Sequence, residues 1–106
     1  MTKWVIDANV VLDWLGGDTG LYQKIKAGTV SVFAPGFLLV ETANILLCKK
    51  KLPEKDVEDF LGVLLDSGIN FIDFPFVKIK QLLALASHYK LTTYDALYLL
   101  LAQEMG

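Results

Sequence analysis

Trp4-Val5-Ile6-Asp7-Ala8-Asn9-Val10 is the stretch that decides the fold. Trp4-Val5-Ile6 is a short β-rich run, and Asp7-Ala8-Asn9 serves as the exit of a strand and the cap of a helix over Val10 to Leu15. An apolar strand that hands over directly to a helix is the start of a crossover, which parallel strands require. Gly16-Gly17 ends that helix, a second short one covers Thr19 to Ala27 and stops at Gly28, and Val30 to Ala34 reads as another buried strand closed by Pro35-Gly36. Nothing between Phe37 and Lys51 breaks a helix, and Pro53 with Glu54 opens the next, which runs to about Ser67 with Gly68 as its cap. Asn70 to Phe74 is a third strand, Val77 to Tyr89 a helix, and Thr92 to Met105 a final helix with Gly106 where a C-terminal cap belongs. Strands separated by helices predict an α/β fold: a central parallel sheet flanked by helices in three layers. An all-helical bundle requires all three apolar runs to be misread.

The chain has 106 residues, without repeats, low-complexity tracts or linkers, so residues 1–106 are expected to form a single domain. Hydrophobic residues make up 54% and charged ones 21%, which excludes intrinsic disorder. The longest purely apolar run, Ala96 to Ala102, is far shorter than the roughly 20 residues of a membrane helix. Met1-Thr2-Lys3-Trp4 leads straight into the first strand without a small-residue cleavage site. No signal peptide is expected, and a cytoplasmic location follows by default. The one cysteine, Cys48, can form neither an internal disulfide nor a multi-thiolate zinc site, and reads as a small core residue. All 10 basic residues are lysines, against 12 acids. Arginine's bidentate fork is missing, so lysine or a bound cation has to meet the phosphates of any nucleic acid.

In so apolar a chain, acids inside apolar segments are the informative residues, because an unpartnered carboxylate is expensive to bury. Asp7 ends the first strand, at the sheet edge where ligands of parallel α/β proteins collect. Glu41 stands three, four and seven residues from Leu38, from Phe37 and Ile45, and from Cys48, on an apolar helix face. Asp95 is the only charge between Leu91 and Ala102 and shares a face with Tyr98, Leu99 and Ala102. Plainer roles exist for each: a cap for Asp7, a surface-seeking side chain for Glu41, and a capping box with Thr92 for Asp95. Taken together the three point further. Carboxylates that converge repel by about 4 kcal/mol per close pair at an effective dielectric of roughly 20, so convergence demands a cation. Oxygen ligands favour a hard ion, Mg2+ or Mn2+, and Asn9 could orient a carboxylate or an ion-bound water, or simply cap the helix.

No phosphate-binding glycine loop, dinucleotide fingerprint or zinc spacing is present, and His88 is the only histidine, read as a surface residue. A two-histidine acid–base mechanism is thereby excluded. Carboxylates with a hard cation point to metal-assisted phosphodiester hydrolysis. Three patterns then resemble the PIN-domain ribonucleases, of the kind found as VapC toxins in toxin-antitoxin pairs. Val5-Ile6-Asp7-Ala8-Asn9-Val10 is similar to the family's opening strand with its first acid. Val40-Glu41-Thr42-Ala43-Asn44-Ile45-Leu46 is similar to its glutamate helix, and Leu91-Thr92-Thr93-Tyr94-Asp95-Ala96-Leu97-Tyr98 to its third-acid helix, the most specific of the three.

The resemblance implies a PIN-like sandwich, an RNA substrate, Mg2+ or Mn2+ held by Asp7, Glu41 and Asp95, a cognate antitoxin, and often a homodimer. Lys49-Lys50-Lys51 would be a solvated helix end, or a contact to RNA phosphate. Family members usually continue into a further strand, which ends in a fourth acid near a threonine, and then a helix. The expectation is accordingly a PIN-like fold lacking that last strand and helix: the natural chain is longer, or the fourth ligand is absent. Asp13, Asp18 and Asp73 are not placed to replace it. The alternative to a nuclease is a non-catalytic PIN-like binding or interaction domain, whose open sheet edge would serve a partner chain. A phosphotransfer domain ranks lower, since Asp7 stands without an adjacent acid and no lysine follows Lys90.

Overall fold

Short apolar runs bounded by glycine, proline and capping residues become strands and helices here almost where the sequence places them. The computed structural model describes residues 2–106; Met1, the first residue of the opening in which no signal peptide is expected, lies outside them. The order is β1 (Thr2–Val5), α1 (Ala8–Leu15), α2 (Gly20–Lys26), β2 (Val30–Pro35), α3 (Phe37–Asn44), α4 (Glu54–Leu65), β3 (Asn70–Ile72), α5 (Ile79–Tyr89) and α6 (Thr93–Met105). A π-helical turn, Ile45–Lys49, extends α3, and a 3-10 turn, Phe76–Lys78, leads into α5. All strand pairs are parallel, in the order β1-β2-β3, with Trp4 opposite Val32 and Phe33 opposite Asn70.

Right-handed crossovers that step the same way across a sheet put their helices on one face. Val11, Leu21, Ile25, Leu38 and Leu64, from α1 to α4, accordingly share one cluster with Val30, Val32 and Ala34 of β2. Pro35 points the other way and lines a crevice with Leu97, Leu100 and Leu101 of α6. That helix lies across β1 and β2, and α5 packs on it through Leu82, Ala86, Ala96 and Leu100. Helix, sheet and helix form the three expected layers. Lys78 pairs with Glu104, tying the 3-10 turn to α6. No helix among the described residues is long and apolar enough to cross a membrane.

Four local expectations change. The helix predicted over Phe37 to Lys51 is α-helical only to Asn44, and Lys51 leaves it in the left-handed region at φ 52°. Cys48, expected in the core, is exposed. The inward line of this segment is Leu38, Thr42 and Leu46, each 0% exposed, and the wider π turn carries residue 48 off it. The third strand stops at Ile72 instead of Phe74, and α5 starts two residues later than Val77 because residues 76–78 take the tighter 3-10 form. His88 and the three lysines at 49–51 are exposed, as read.

Candidate functional site

Asp7 is fixed by two backbone commitments on either side of it. Ile6 N–H still donates to the Phe33 carbonyl of β2 at 3.1 Å, which holds the chain to the sheet. Two residues on, α1 has begun, and Asp7 Oδ1 accepts from Asn9 N–H at 3.0 Å and from Val10 N–H at 3.4 Å. Asp7 is thus the N-cap of α1, and Asn9, read as a possible cap, lies inside the first turn. Its second oxygen, Oδ2, makes no hydrogen bond among the described residues.

Glu41 projects from the middle of α3, next to buried Thr42, and is half-buried. Its Oε1 accepts from the Tyr98 hydroxyl at 2.8 Å, a contact between α3 and α6 across 57 residues of sequence. Asp95 stands in the first turn of α6. Thr92 caps that helix, its Oγ1 accepting from Asp95 N–H at 3.1 Å. Only this half of the expected capping box forms: the Asp95 carboxylate makes no hydrogen bond among the described residues, and Asp95 is exposed.

Asp7, Ala8 and Asn9, then Glu41 and Ile45, then Asp95 and Tyr98 line one open cleft, built from the start of α1, the α3 segment and the start of α6. No lysine is in its lining. Two of the three carboxylates sit at helix N-termini, where the macrodipole favours negative charge, and the third holds a phenol hydroxyl. Their mutual repulsion is offset in part without a cation. The phenol registers all three acids: burial first, then the hydrogen bond to Glu41, then the charges of Glu41, Asp7 and Asp95 push Tyr98 above the usual phenol range. It therefore stays protonated and keeps donating to Glu41.

The oxygen-only donors suit a hard dication in chemistry. Among the described residues, however, no three His, Cys, Asp or Glu side chains stand close enough together to grip one ion directly. Asp13, Asp18 and Asp73 are exposed and outside the cleft, Asp18 being occupied with Gly20 N–H at 3.1 Å.

Sequence reasoning missed Tyr98 as a member of this site, treating it as part of an apolar face. The available signal was its hydroxyl, which needs a partner when buried, three residues after Asp95. It also missed a stack of Phe37 on Tyr94, with ring centroids 5.0 Å apart and planes at 4°.

No curated protein sequence matches the chain. The family model of the PIN domain, a nuclease-type fold whose members act on nucleic acid, matches residues 4–106. That match runs from within β1 to the end of α6 and includes Asp7, Glu41 and Asp95, and the chain belongs to the PIN-domain family.

Proposed function

We propose that residues 1–106 form one metal-dependent endoribonuclease domain that hydrolyses RNA phosphodiester bonds with Asp7, Glu41 and Asp95. The observation that carries this reading is that three carboxylates, from three elements far apart in sequence, line one cleft whose lining has no lysine. Mg2+ or Mn2+ bound there would lower the pKa of a water and stabilise the charge developing at phosphorus. The chain's own residues do the positioning. Asp7 and Asp95 hold their carboxylates through helix starts, and Tyr98 fixes Glu41 so that its second oxygen remains available. Asn9 lies beside Asp7 at the cleft wall, placed to orient a carboxylate or a water.

On the resemblance of its three motifs to VapC toxins, we read the chain as the toxin of a cytoplasmic toxin-antitoxin pair. A cognate antitoxin would hold it inactive, and it would form a homodimer. The catalytic part is tested by cleavage of an end-labelled, mixed-sequence single-stranded RNA with manganese, magnesium or a chelator, using the chain beside Asp7→Asn. Asparagine caps a helix as well as aspartate does, so this variant removes charge without removing the cap. Cleavage should require the metal and fall by roughly a hundredfold or more in the variant, the scale on which carboxylates of such sites act. Equal cleavage by both proteins overturns the assignment. A second reading is a non-catalytic PIN-like binding or interaction domain, favoured by the finding that no three His, Cys, Asp or Glu side chains among the described residues are placed to hold an ion. RNA binding without cleavage, by a chain shown to be folded, selects it.

A further inference from the structure

We propose that the exposed ring of Tyr94, backed by Phe37, is the platform on which an unpaired base of the RNA stacks beside the carboxylate cleft. The proposal rests on the nuclease reading above and adds to it the part that holds the strand.

Two contacts join α3 to α6 like rungs. Phe37 lies against Tyr94, and four residues further along each helix Glu41 accepts from Tyr98. Four residues of α-helix advance about 6 Å, so the ring pair stands one turn from the Glu41 carboxylate, immediately before Asp95 in the chain. The rings are parallel, which gives Tyr94 one face covered by Phe37, yet the residue remains 57% exposed. A flat, supported aromatic surface is thereby presented by the residue next in the chain to Asp95, which lines the acidic cleft that neither ring itself lines.

Charge explains why such a surface is needed there. The cleft has three carboxylates and no lysine in its lining, so the neighbouring phosphates find no fixed positive charge. Base–aromatic stacking does not depend on charge and tolerates any base, since every base has a π-face. It also discriminates by strandedness. Bases inside a duplex are already stacked on one another and cannot cover Tyr94 unless extruded, whereas those of a single strand can.

The test is binding of a short single-stranded RNA carrying one 2-aminopurine, with a chelator present so that no cleavage occurs, to the unmodified chain, Tyr94→Phe and Tyr94→Leu. A Watson–Crick duplex of the same sequence is the control. Leucine keeps an apolar contact with Phe37 but removes the ring. We expect Tyr94→Leu to bind the single strand at least about tenfold more weakly, the lower end of one base–aromatic stack, and to lose the fluorescence change. Tyr94→Phe should restore both, and duplex binding should be equal in all three. With metal added, KM should rise in Tyr94→Leu while kcat stays nearly constant. Equal single-strand binding by all three proteins overturns the platform, as does an equal loss on strand and duplex, which is what a merely structural clamp between α3 and α6 would give. Failure of the unmodified chain to bind the single strand overturns it too. Binding that depends on Tyr94 without any metal-dependent cleavage leaves the platform standing and removes the nuclease reading, and metal-dependent cleavage indifferent to Tyr94 does the reverse.

Discussion

The hydroxyl of Tyr98 and the carboxylate of Glu41 show how much a single contact constrains in this molecule. The phenol is held above its ordinary value of 10.0 chiefly by burial and by Glu41. A group whose folded value is raised contributes stability that is complete below the unfolded value and is lost as the pH climbs above it toward the folded one. Stability should therefore fall as the pH rises above about 10, and Tyr98→Phe should show a smaller fall than the unmodified chain. Urea unfolding at about pH 9 and about pH 11 measures this, the difference between the two proteins removing what other groups contribute. One residue along from Glu41, the Thr42 hydroxyl is fully buried without a hydrogen-bond partner among the described residues. An unsatisfied buried polar group is destabilising, so Thr42→Val should raise stability by about 1 kcal/mol, read from the urea midpoint at unchanged slope.

At the scale of the element, α4 and its exit contain two glycines for which the same substitution has opposite outcomes. Gly62 lies inside the helix, and a Cβ there would meet nothing within 4 Å. Gly62→Ala should stabilise by about 0.5–1 kcal/mol through the lower conformational freedom of the unfolded chain. Gly68, in the turn before β3, has φ +93°, and a Cβ would lie 2.9 Å from Ile25 Cγ2 of α2. Gly68→Ala should lower stability by about 1–3 kcal/mol, from backbone strain and from the collision between two elements that the core brings together. Thermal unfolding of the pair, with shifts of opposite sign, checks both. The helix starts matter differently, because α1 and α6 each place a carboxylate at the cleft through the turn that begins them. The cap is at once what ends the preceding loop and what aims the acid.

The whole molecule is broad and thin, with extents of 37 × 35 × 21 Å and a radius of gyration of 14.5 Å, against roughly 13 Å for a chain of this length. Its accessible surface of 6772 Å² exceeds the roughly 5,900 Å² typical of this mass. The excess includes large apolar side chains, notably Phe76 at 86% and Val77 at 89% exposure. Apolar surface of this kind favours association in water. Sedimentation velocity over a range of concentrations should show self-association that weakens in a Phe76→Ser, Val77→Ser double variant. Its unfolding free energy should change by no more than about 0.5 kcal/mol, since both residues are exposed.

Much of this was legible in the chain itself. Strands, helices and their order follow from runs of apolar residues and from the glycines, prolines and capping residues between them, because these are local conformational preferences. Asp7, Glu41 and Asp95 could be singled out for a related reason: each is an acid where its neighbours are apolar. The π turn after Asn44 was not legible, since local spacing alone does not show where the α-helical hydrogen-bond ladder widens, and Cys48 was misplaced with it. Nor did spacing show how near the acids stand, or that Glu41 is held by Tyr98 and Tyr94 by Phe37. Those pairs lie 57 residues apart and meet only because the fold brings α3 and α6 within side-chain reach of each other. Sequence determined which groups were available and on which element each would sit; tertiary packing decided which of them touch, because contacts between distant segments depend on the sum of all the packing at once.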